Sequence, residues 1–213
     1  MKDLAEIRRD YQLAALDETT VGDDPIAFFT RWFMECREAL IDEVNAMTLA
    51  TVGPDGKPDA RIVLLKGLED GAFVFFTNYN STKGQNIAHN PNVCLVFFWK
   101  ELERQVRIYG QASKLPPEKS DEYFHSRPES SRIGAWASPQ SSVIPDRAIL
   151  NDNYYRYEQE FAGKPVPRPK HWGGYGVQPY SIEFWQGRSS RMHDRILFTS
   201  TKDGQWKRER LAP

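Results

Sequence analysis

The change in periodicity at Ala46 constrains the fold of this chain more than any other feature of its sequence. From that residue on, apolar side chains alternate with a period of two over residues 47–52, 61–66, 73–78, 93–99 and 105–112. Successive side chains of a strand point to opposite faces, so each of these stretches predicts a β-strand. Short turns such as Asp70-Gly71 separate them, which predicts an antiparallel meander that curls into a barrel or a strongly curved sheet.

Helix signals flank the predicted strands on both sides. Asp24 and Pro25 are an acidic cap and a first-turn proline, and Ser81 can cap a further helix through its hydroxyl. The predicted helices cover residues 2–17, 25–40, 82–88, 118–126, 130–136 and 144–161. Strands and helices do not alternate regularly, and neither GxGxxG nor GxxxxGK[ST] occurs, which disfavours a doubly wound nucleotide-binding fold. The predicted fold class is mainly β with helices (α+β).

Composition and charge exclude several classes of function. A formal net charge of −1 gives no basic field to attract nucleic acid. The longest purely apolar run, residues 93–99, is too short to span a bilayer, and the charged N-terminus lacks the apolar core of a signal peptide. Cys36 and Cys94 lie in apolar surroundings without metal-ligand spacing, so we expect reduced thiols, no metal and a cytoplasmic protein. We also expect one domain over residues 1–213, because too little chain follows the proline-rich stretch 164–169 to fold alone.

Residues 184–195 contain more side chains suited to chemistry than any other part of the chain. An apolar run leads to Trp185, a Gly- and Ser-rich stretch follows, and Ile196 begins a second apolar run, which predicts a β-hairpin. Alternation along the second strand would place Arg191, His193 and Arg195 on one face. Two cations and one imidazole on a face suit an anionic ligand that needs proton handling. A solvated basic strand face is the simpler alternative, and spacing alone does not exclude it.

Other stretches offer phosphate-binding groups without an obvious nucleophile. The small-polar loop from Thr77 to Lys83 runs into a predicted helix N-terminus, which suits a phosphate. Tyr123, Arg127 and Ser131 supply an aromatic ring, a guanidinium and a hydroxyl, although capping and helix packing explain them as cheaply. The absence of a nucleophile beside several anion-binding stretches is typical of a protein whose phosphorylated cofactor carries the reaction.

Seven motifs in one order resemble the pyridoxine/pyridoxamine 5′-phosphate oxidase family over nearly the whole chain. They are Arg61-Ile62-Val63-Leu64-Leu65-Lys66, Leu102-Glu103-Arg104-Gln105-Val106, Tyr123-Phe124-His125-Ser126-Arg127-Pro128, Ile133-Gly134-Ala135-Trp136, Gln140-Ser141-Ser142, Glu183-Phe184-Trp185-Gln186-Gly187 and Arg191-Met192-His193-Asp194-Arg195. The resemblance implies an FMN-binding split β-barrel with antiparallel strands and flanking helices, assembled as a homodimer with two FMN sites at the interface. It implies oxidation of pyridoxine 5′-phosphate and pyridoxamine 5′-phosphate to pyridoxal 5′-phosphate, with O2 as the acceptor.

The resemblance also implies roles for individual residues. FMN would be bound by Arg61, Ile62, Val63, Leu64, Leu65, Lys66, Phe76, Thr77, Thr82, Lys83, Gln105, Gln140, Ser141, Trp185 and Arg195. The substrate would be bound by Arg8, Arg9, Asp10, Tyr11, Lys66, Tyr123, Arg127, Ser131, Arg191, Met192 and His193, with Arg191 and His193 as the catalytic pair. Residues 1–20 would form a mobile lid, and residues 180–213 would complete the active site.

Two departures from the family pattern affect these expectations. Thr82 stands where the family often has an Arg, so we expect weaker FMN retention. Pro139 stands where a Lys can occur, which places any secondary product site near it in doubt. Two alternative functions remain open at this point: a split-barrel flavoprotein that acts on another substrate, and a non-catalytic binder of pyridoxal 5′-phosphate.

Overall fold

The computed structural model describes Glu6 and residues 10–213 of the chain. The helices of this part are α1 (Glu18–Val21), α2 (Pro25–Glu38), α3 (Thr82–His89), α4 (Pro117–Ser126), α5 (Glu129–Ala137) and α6 (Ala148–Glu160). The strands are β1 (Ala46–Val52), β2 (Pro58–Leu64), β3 (Gly67–Glu69), β4 (Ala72–Asn78), β5 (Asn92–Trp99), β6 (Arg104–Lys114), β7 (Trp172–Gln186), β8 (Asp194–Ser200) and β9 (Trp206–Leu211). None of these helices is long and apolar enough to cross a membrane.

The nine strands form one curled antiparallel sheet, as the period-two stretches predicted. Its strand order is β2-β1-β5-β6-β7-β4-β3, and β8 pairs with β7 and β9. Strand β7 is 15 residues long, and its two ends have different partners: Trp172 is opposite Asn78 of β4, and Trp185 is opposite Arg195 of β8. The predicted C-terminal hairpin is therefore confirmed as β7 and β8.

The chain divides into two compact units. We call Met1–Leu49, Cys94–Gly110 and Pro179–Pro213 the hairpin unit, and Ala50–Val93 and Gln111–Gln178 the cavity unit. Both predicted reduced thiols are free cysteines, Cys36 buried and Cys94 half-buried. Burial raises the pKa of the Cys36 thiol to about 12, so it behaves as a small apolar side chain rather than a nucleophile.

The hairpin unit is built around the buried face of α2. Asp24 Oδ1 accepts the amides of Ile26 and Ala27 at 2.8 and 3.2 Å, which fixes the helix start where the sequence predicted it. Phe28, buried on that helix, packs edge-on against Phe184 of β7 with ring centroids 4.6 Å apart. Each such side chain, fully buried, contributes roughly 1.5–3 kcal/mol relative to an exposed one.

Residues 10–17 form neither helix nor strand, so the predicted helix over residues 2–17 is wrong for them, and most of its remainder lies outside the described residues. Distant carboxylates take the amide hydrogens that a helix would direct at carbonyls one turn back. Glu103 Oε2 accepts from Gln12 N and Leu13 N at 2.9 and 3.1 Å, and Asp194 Oδ2 accepts from Leu16 N at 3.0 Å.

Two arginines of strand β9 also form hydrogen bonds with residues 16–22. Arg210 Nη2 donates to the Leu16 carbonyl oxygen at 3.1 Å and to the Glu18 carboxylate at 2.7 Å. Arg208 Nη1 donates to the Gly22 carbonyl oxygen at 2.6 Å. The strand predictions did not include β9 or the three-residue β3.

The cavity unit has a core of aromatic and branched side chains. Phe124, Ile133, Phe161, Val166 and Trp172 form a buried cluster, which joins α4, α5, the end of α6 and the first residue of β7. The proline-rich stretch contributes Val166 and forms no helix or strand, as its composition predicted. Helix α6 begins at Ala148, four residues later than predicted, because Asp146 Oδ1 accepts the Ala148 amide there at 2.8 Å.

Helix α3 begins at a cap with no spare volume. Ser81 Oγ accepts the amide of Gly84 at 3.4 Å, which confirms the predicted Ser81 cap. A Cβ on Gly84 would lie 2.2 Å from the backbone oxygen of Tyr79, so only glycine fits. This close approach fixes the first turn of α3 against the end of β4.

Candidate active site

A cavity of about 620 Å³ lies in the cavity unit. It is lined by Leu64, Lys66, Phe76, Thr77, Asn78, Tyr123, Arg127, Pro128, Ser131, Gly134, Ala135, Ser138, Gln140 and Trp172. Its volume is in the range of sites that bury a small organic ligand. Lys66, Tyr123, Arg127 and Ser131, four of the residues expected to bind the substrate, all line it.

Arg127 provides the strongest anion-binding group of the cavity. It follows the last residue of α4, where its amide donates to the Phe124 carbonyl oxygen at 3.2 Å. Its guanidinium lies over the Trp172 ring at 4.6 Å, and its buried Nη1 has no hydrogen-bond partner. Burial lowers the pKa of Arg127, the sign expected when a cation loses water without gaining a carboxylate. The positive charge of this guanidinium suits a phosphate bound in the cavity.

A stack of aromatic rings holds the wall next to Arg127. The Phe76 and Tyr123 rings are 3.9 Å apart at 16°, and the Phe76 and Trp172 rings are 5.5 Å apart at 13°. Because each ring is fixed on a different element, the stack limits the movement of Tyr123 and Trp172 together. Trp172 therefore helps to hold two of the residues expected to bind the substrate. It contacts Arg127 directly, and it holds Tyr123 through the Phe76 ring.

A second cation lies at the start of α3. The Lys83 ammonium is within 3.3 Å of Ser81 Oγ and 3.4 Å of Gln140 Oε1, and Thr77 Oγ1 donates to Gln140 Oε1 at 3.3 Å. Burial is the main cause that lowers the pKa of Lys83, and the nearby positive charge of Arg61 lowers it further. A buried ammonium, hydroxyls and a helix N-terminus together suit a phosphate.

Arg61 differs from Arg127 and Lys83 because a carboxylate shares its charge. It pairs with Asp59 on the same strand, and its Nη1 donates to Thr51 Oγ1 at 2.9 Å. Strand β2 ends at Leu64, so the predicted strand is too long by Leu65 and Lys66. Lys66 is exposed, and its backbone amide donates to the Val74 carbonyl oxygen at 2.8 Å. That bend away from β2 removes the strict alternation that would have kept Arg61 and Lys66 on opposite faces.

The remaining predicted FMN residues of the cavity unit differ in their exposure. Leu64 lines the cavity and Leu65 is buried, whereas Ile62 is 65% exposed and Val63 is half-buried. Thr82 and Ser141 are exposed, and Ser141 has a φ of 70°.

In the hairpin unit, the predicted active-site side chains form an aromatic group. The Trp185 and His193 rings are 4.7 Å apart, and Tyr11 packs against both at 5.8 and 6.0 Å. His193 Nδ1 accepts the Arg188 amide at 3.1 Å, so the neutral ring carries its proton on Nε2. That hydrogen bond fixes the ring and leaves Nε2 to interact with a ligand.

The prediction that Arg191, His193 and Arg195 share one strand face is wrong. Arg191 ends a 3₁₀ turn, Ser189–Arg191, with a φ of 60°, and His193 precedes the first residue of β8. Only Arg195 belongs to the strand, so alternation does not relate the three side chains. Arg191 and Met192 are both exposed on the turn.

Arg195 is held by internal acceptors. Its Nε donates to Glu183 Oε1 at 2.8 Å and its Nη1 to the Ala212 carbonyl oxygen at 2.8 Å, while Arg107 donates to Glu183 Oε2 at 3.2 Å. The hydrogen bond with Glu183 raises the pKa of Arg195. Glu183, only 4% exposed, therefore fixes the direction of two arginines at once.

Four predicted residues remain. Asp10 is exposed and its Oδ2 accepts from Gln12 Nε2 at 2.7 Å, whereas Arg8 and Arg9 lie outside the described residues. Gln105 is half-buried on β6.

Trp172 and Glu103 were missed as supporting residues. The signal for Trp172 is an aromatic residue directly before Gly173 and Gly174, where β7 approaches other chain segments closely. Nothing in the sequence indicates the contacts of Glu103, because its partners are about 90 residues away.

The curled antiparallel sheet defines a split-barrel protein, and the charged and hydroxyl groups of its cavity suit a phosphorylated ligand. The chain resembles the crystal structure of PhzG from Burkholderia lata 383 in complex with tetrahydrophenazine-1-carboxylic acid, with a TM-score of 0.88 and 27% identity over 95% of this chain and 100% of that one. A pyridoxamine 5′-phosphate oxidase-related, FMN binding protein from Nostoc punctiforme PCC 73102 shares the fold, with a TM-score of 0.72 and 16% identity over 89% and 98% of the two chains.

Sequence comparison gives the family. Residues 34–159 match the family Pyridoxamine 5′-phosphate oxidase, and residues 172–213 match the Pyridoxine 5′-phosphate oxidase C-terminal dimerisation region. The chain is 56% identical over 210 residues to the pyridoxine/pyridoxamine 5′-phosphate oxidase of Leptospira interrogans serogroup Icterohaemorrhagiae serovar copenhageni, covering 99% of this chain and 98% of that one. It is 53% identical to the enzyme of that name from Cupriavidus pinatubonensis over 213 residues and the full length of both. The chain belongs to the pyridoxamine 5′-phosphate oxidase family and is an oxidoreductase, as its motifs predicted.

Proposed function

We propose that this chain oxidises pyridoxine 5′-phosphate and pyridoxamine 5′-phosphate to pyridoxal 5′-phosphate, with FMN as its cofactor and O2 as the electron acceptor. Each turnover reduces one O2 to H2O2, and the amine substrate also consumes water and releases ammonia. The observation that carries the proposal is the desolvated guanidinium of Arg127, which lines one cavity with Lys66, Tyr123 and Ser131. Those groups match a substrate phosphate in charge and in hydrogen-bonding capacity.

The residues at the start of α3 fit the phosphate of FMN. The Lys83 ammonium supplies the charge, and Ser81, Thr77 and Gln140 keep it in place through the contacts given above. FMN, when bound, supplies the acceptor for a hydride from the substrate C4′ carbon and passes the electrons to O2. The chain itself binds and orients the two ligands.

His193 and Arg191 are the proposed catalytic pair. His193 is fixed by the Arg188 amide, so its Nε2 proton can be donated to, or held near, an oxygen or nitrogen on the substrate C4′ carbon. Arg191 is exposed on the turn before β8, and its cation stabilises charge that develops on the pyridine ring.

The match of residues 172–213 to a dimerisation region supports a homodimer, and we propose FMN sites lined by both protomers. A cytoplasmic location, which the two free cysteines favour, belongs to the same proposal. Sedimentation equilibrium would show twice the 24.6 kDa chain mass.

One spectrum tests the proposed reaction. The protein is purified without added cofactor, and its visible absorption is recorded before and after anaerobic addition of pyridoxine 5′-phosphate. We expect a flavin band that the substrate bleaches and air restores. A flavin band that stays unbleached would reject the substrate assignment, and a protein that takes up no added FMN would reject the cofactor.

A flavoprotein that acts on a different substrate is the second candidate. The likeness to PhzG, whose solved ligand is a carboxylic acid without a phosphate, favours it. Such a protein has no need of Arg127, Lys66, Tyr123 and Ser131 in one cavity, so the spectrum is repeated with pyridoxine, which lacks the phosphate. Equal bleaching by both compounds would favour the second candidate.

Arg191→Ala separates the catalytic role from cofactor binding. Because Arg191 is exposed on the turn before β8, we expect unchanged FMN content and turnover lowered by roughly tenfold or more. Steady-state kinetics and the FMN to protein absorbance ratio measure the two effects. Loss of FMN would contradict this assignment.

A further inference from the structure

Glu103 makes hydrogen bonds with two segments that carry proposed active-site residues. It follows the 3₁₀ turn Lys100–Leu102 with φ and ψ of 56° and 38°, a conformation that is uncommon for a residue with a side chain. It is 2% exposed, and its carboxylate oxygen Oε2 accepts the amides of Gln12 and Leu13 at 2.9 and 3.1 Å. Hydrogen bonds to a buried charged acceptor are stronger than those between neutral groups.

The backbone of the same residue holds the turn after β7. The Glu103 carbonyl oxygen accepts the Gly187 amide at 2.7 Å and Gln186 Nε2 at 3.2 Å. Gln186 is 1% exposed, so these bonds lie away from water. Side chain and backbone of one residue thus join residues 12–13 to residues 186–187.

Tyr11 is the side chain that this arrangement brings into the proposed site. Its ring is so close to Gly187 that a Cβ there would lie 2.7 Å from Tyr11 Cγ. It also packs edge-on against Trp185 with centroids 5.8 Å apart. Neither contact survives if the backbone at Gln12 and Leu13 moves away.

We propose that Glu103 is a positioning residue that keeps Tyr11 packed against Trp185 and His193. The role in turnover rests on the proposed oxidase function, whereas the effect on the segment around Tyr11 does not. Glu103 acts through Tyr11 and touches neither reacting group itself.

Proteolysis tests the packing without reference to activity. In Glu103→Ala, chymotrypsin should cleave after Tyr11 about tenfold faster than in the wild type, because a segment held by two charge-assisted bonds becomes open to the protease. Mass spectrometry identifies the cut. Glu103→Gln keeps a neutral acceptor and should fall between the two. Glu101→Ala is the matched control, since Glu101 is exposed on the same turn and should cleave like the wild type.

Gly187→Ala should also release Tyr11 from its packing, and it does so without altering Glu103. The added methyl displaces the Tyr11 ring, so this variant should also cleave faster after Tyr11. It keeps the proposal testable if Glu103→Ala fails to fold, which thermal unfolding would reveal. Wild-type cleavage in folded Glu103→Ala, or in Glu103→Gln where Glu103→Ala does not fold, would overturn the proposal, whatever Gly187→Ala shows.

Kinetics then ask whether Glu103 acts through Tyr11. Glu103→Ala should raise KM for pyridoxine 5′-phosphate about tenfold while FMN content stays unchanged, and Glu103→Gln should restore part of the loss. The double variant Tyr11→Ala with Glu103→Ala should be no worse than Tyr11→Ala alone. Fully additive losses would show that Glu103 acts by another route. If the wild type had no oxidase activity, the proposed function would be rejected. The cleavage experiment would still show whether Glu103 keeps Tyr11 packed against Trp185 and His193.

Discussion

Two cations of the cavity unit, Arg127 and Lys83, differ in their partners from two cations of the hairpin unit, Arg195 and Arg107. In the cavity unit, Arg127 and Lys83 are desolvated, and neither has an ion pair with a carboxylate among the described residues. In the hairpin unit, Arg195 and Arg107 share the buried carboxylate of Glu183. A cation that is neutralised inside the protein maintains shape, whereas one without a partner reduces the stability of the free protein until an anion arrives. We therefore expect loss of the Glu183 carboxylate to lower the stability of the free protein, and loss of Arg127 or Lys83 to weaken ligand binding instead.

Loss of Glu183 should produce the largest change. Glu183→Gln leaves two partly buried cations with a neutral partner, so we expect the free energy of unfolding to fall by about 2–3 kcal/mol, lower than for a fully buried pair because both arginines are partly exposed. Urea unfolding measures it. Glu209→Gln, which breaks the exposed pair with Lys207 at 2.7 Å, is the control and should change stability little. Equal effects would remove the distinction between the units.

Arg127→Leu should weaken substrate binding strongly and change the stability of the protein little, unlike Glu183→Gln. We expect KM for pyridoxine 5′-phosphate to rise about 30-fold, because one strong anion partner is lost. The free energy of unfolding of the protein without substrate should stay within about 1 kcal/mol, because the lost contact with the Trp172 ring is offset by removal of a partnerless buried nitrogen. Arg147→Leu, at an exposed arginine, should change neither quantity. A large loss of stability would mean that Arg127 supports the fold.

Lys83 should make FMN affinity depend on pH. The protonated ammonium attracts the phosphate, and burial lowers its pKa below the ordinary 10.5, so affinity should fall with rising pH earlier than for an exposed lysine. Lys83→Met should weaken FMN binding about tenfold at neutral pH and show no such fall. Fluorescence titration of FMN at several pH values measures both, with Lys57→Met, an exposed lysine, as control. A wild type without the alkaline loss would contradict the role of Lys83.

Thr82→Arg should have the smallest effect. An additional cation at the exposed first position of α3 should tighten FMN binding roughly threefold, since solvent weakens its attraction. Thr82→Gln, similar in length but uncharged, should bind like the wild type. If FMN titration showed no tighter binding in Thr82→Arg, the expectation that Thr82 weakens FMN binding would be wrong.

The sequence predicted the elements whose signals are local. Asp24 and Ser81 cap helices where the sequence placed them, and the alternating stretches became strands. Strand β9, Trp-Lys-Arg-Glu-Arg-Leu, was missed because charged residues hide its alternation. For the cavity, the family motifs identified Arg127 and its neighbours, but the aromatic stack needed coordinates, since Phe76 and Trp172 are far apart in the chain.

The wrong predictions share a physical cause. Tyr11 and Ala14 have helical spacing, yet Glu103 and Asp194 take the amides of this segment across the fold. Likewise, periodicity could not show that Arg191 lies on a turn with positive φ. Residue spacing indicates which secondary structure a segment can form in isolation. The contacts that it makes in the folded protein determine which one it adopts.

The tie between β9 and the start of the chain has a consequence for biosynthesis. The partners joined by Arg208 and Arg210 are 186 to 194 residues apart. At the usual pace of translation, the early segment waits roughly 10–40 s on the ribosome before these arginines are made. During that interval the nascent hairpin unit lacks the hydrogen bonds of Arg208 and Arg210. Chaperones and proteases therefore have access to it before it is fully folded.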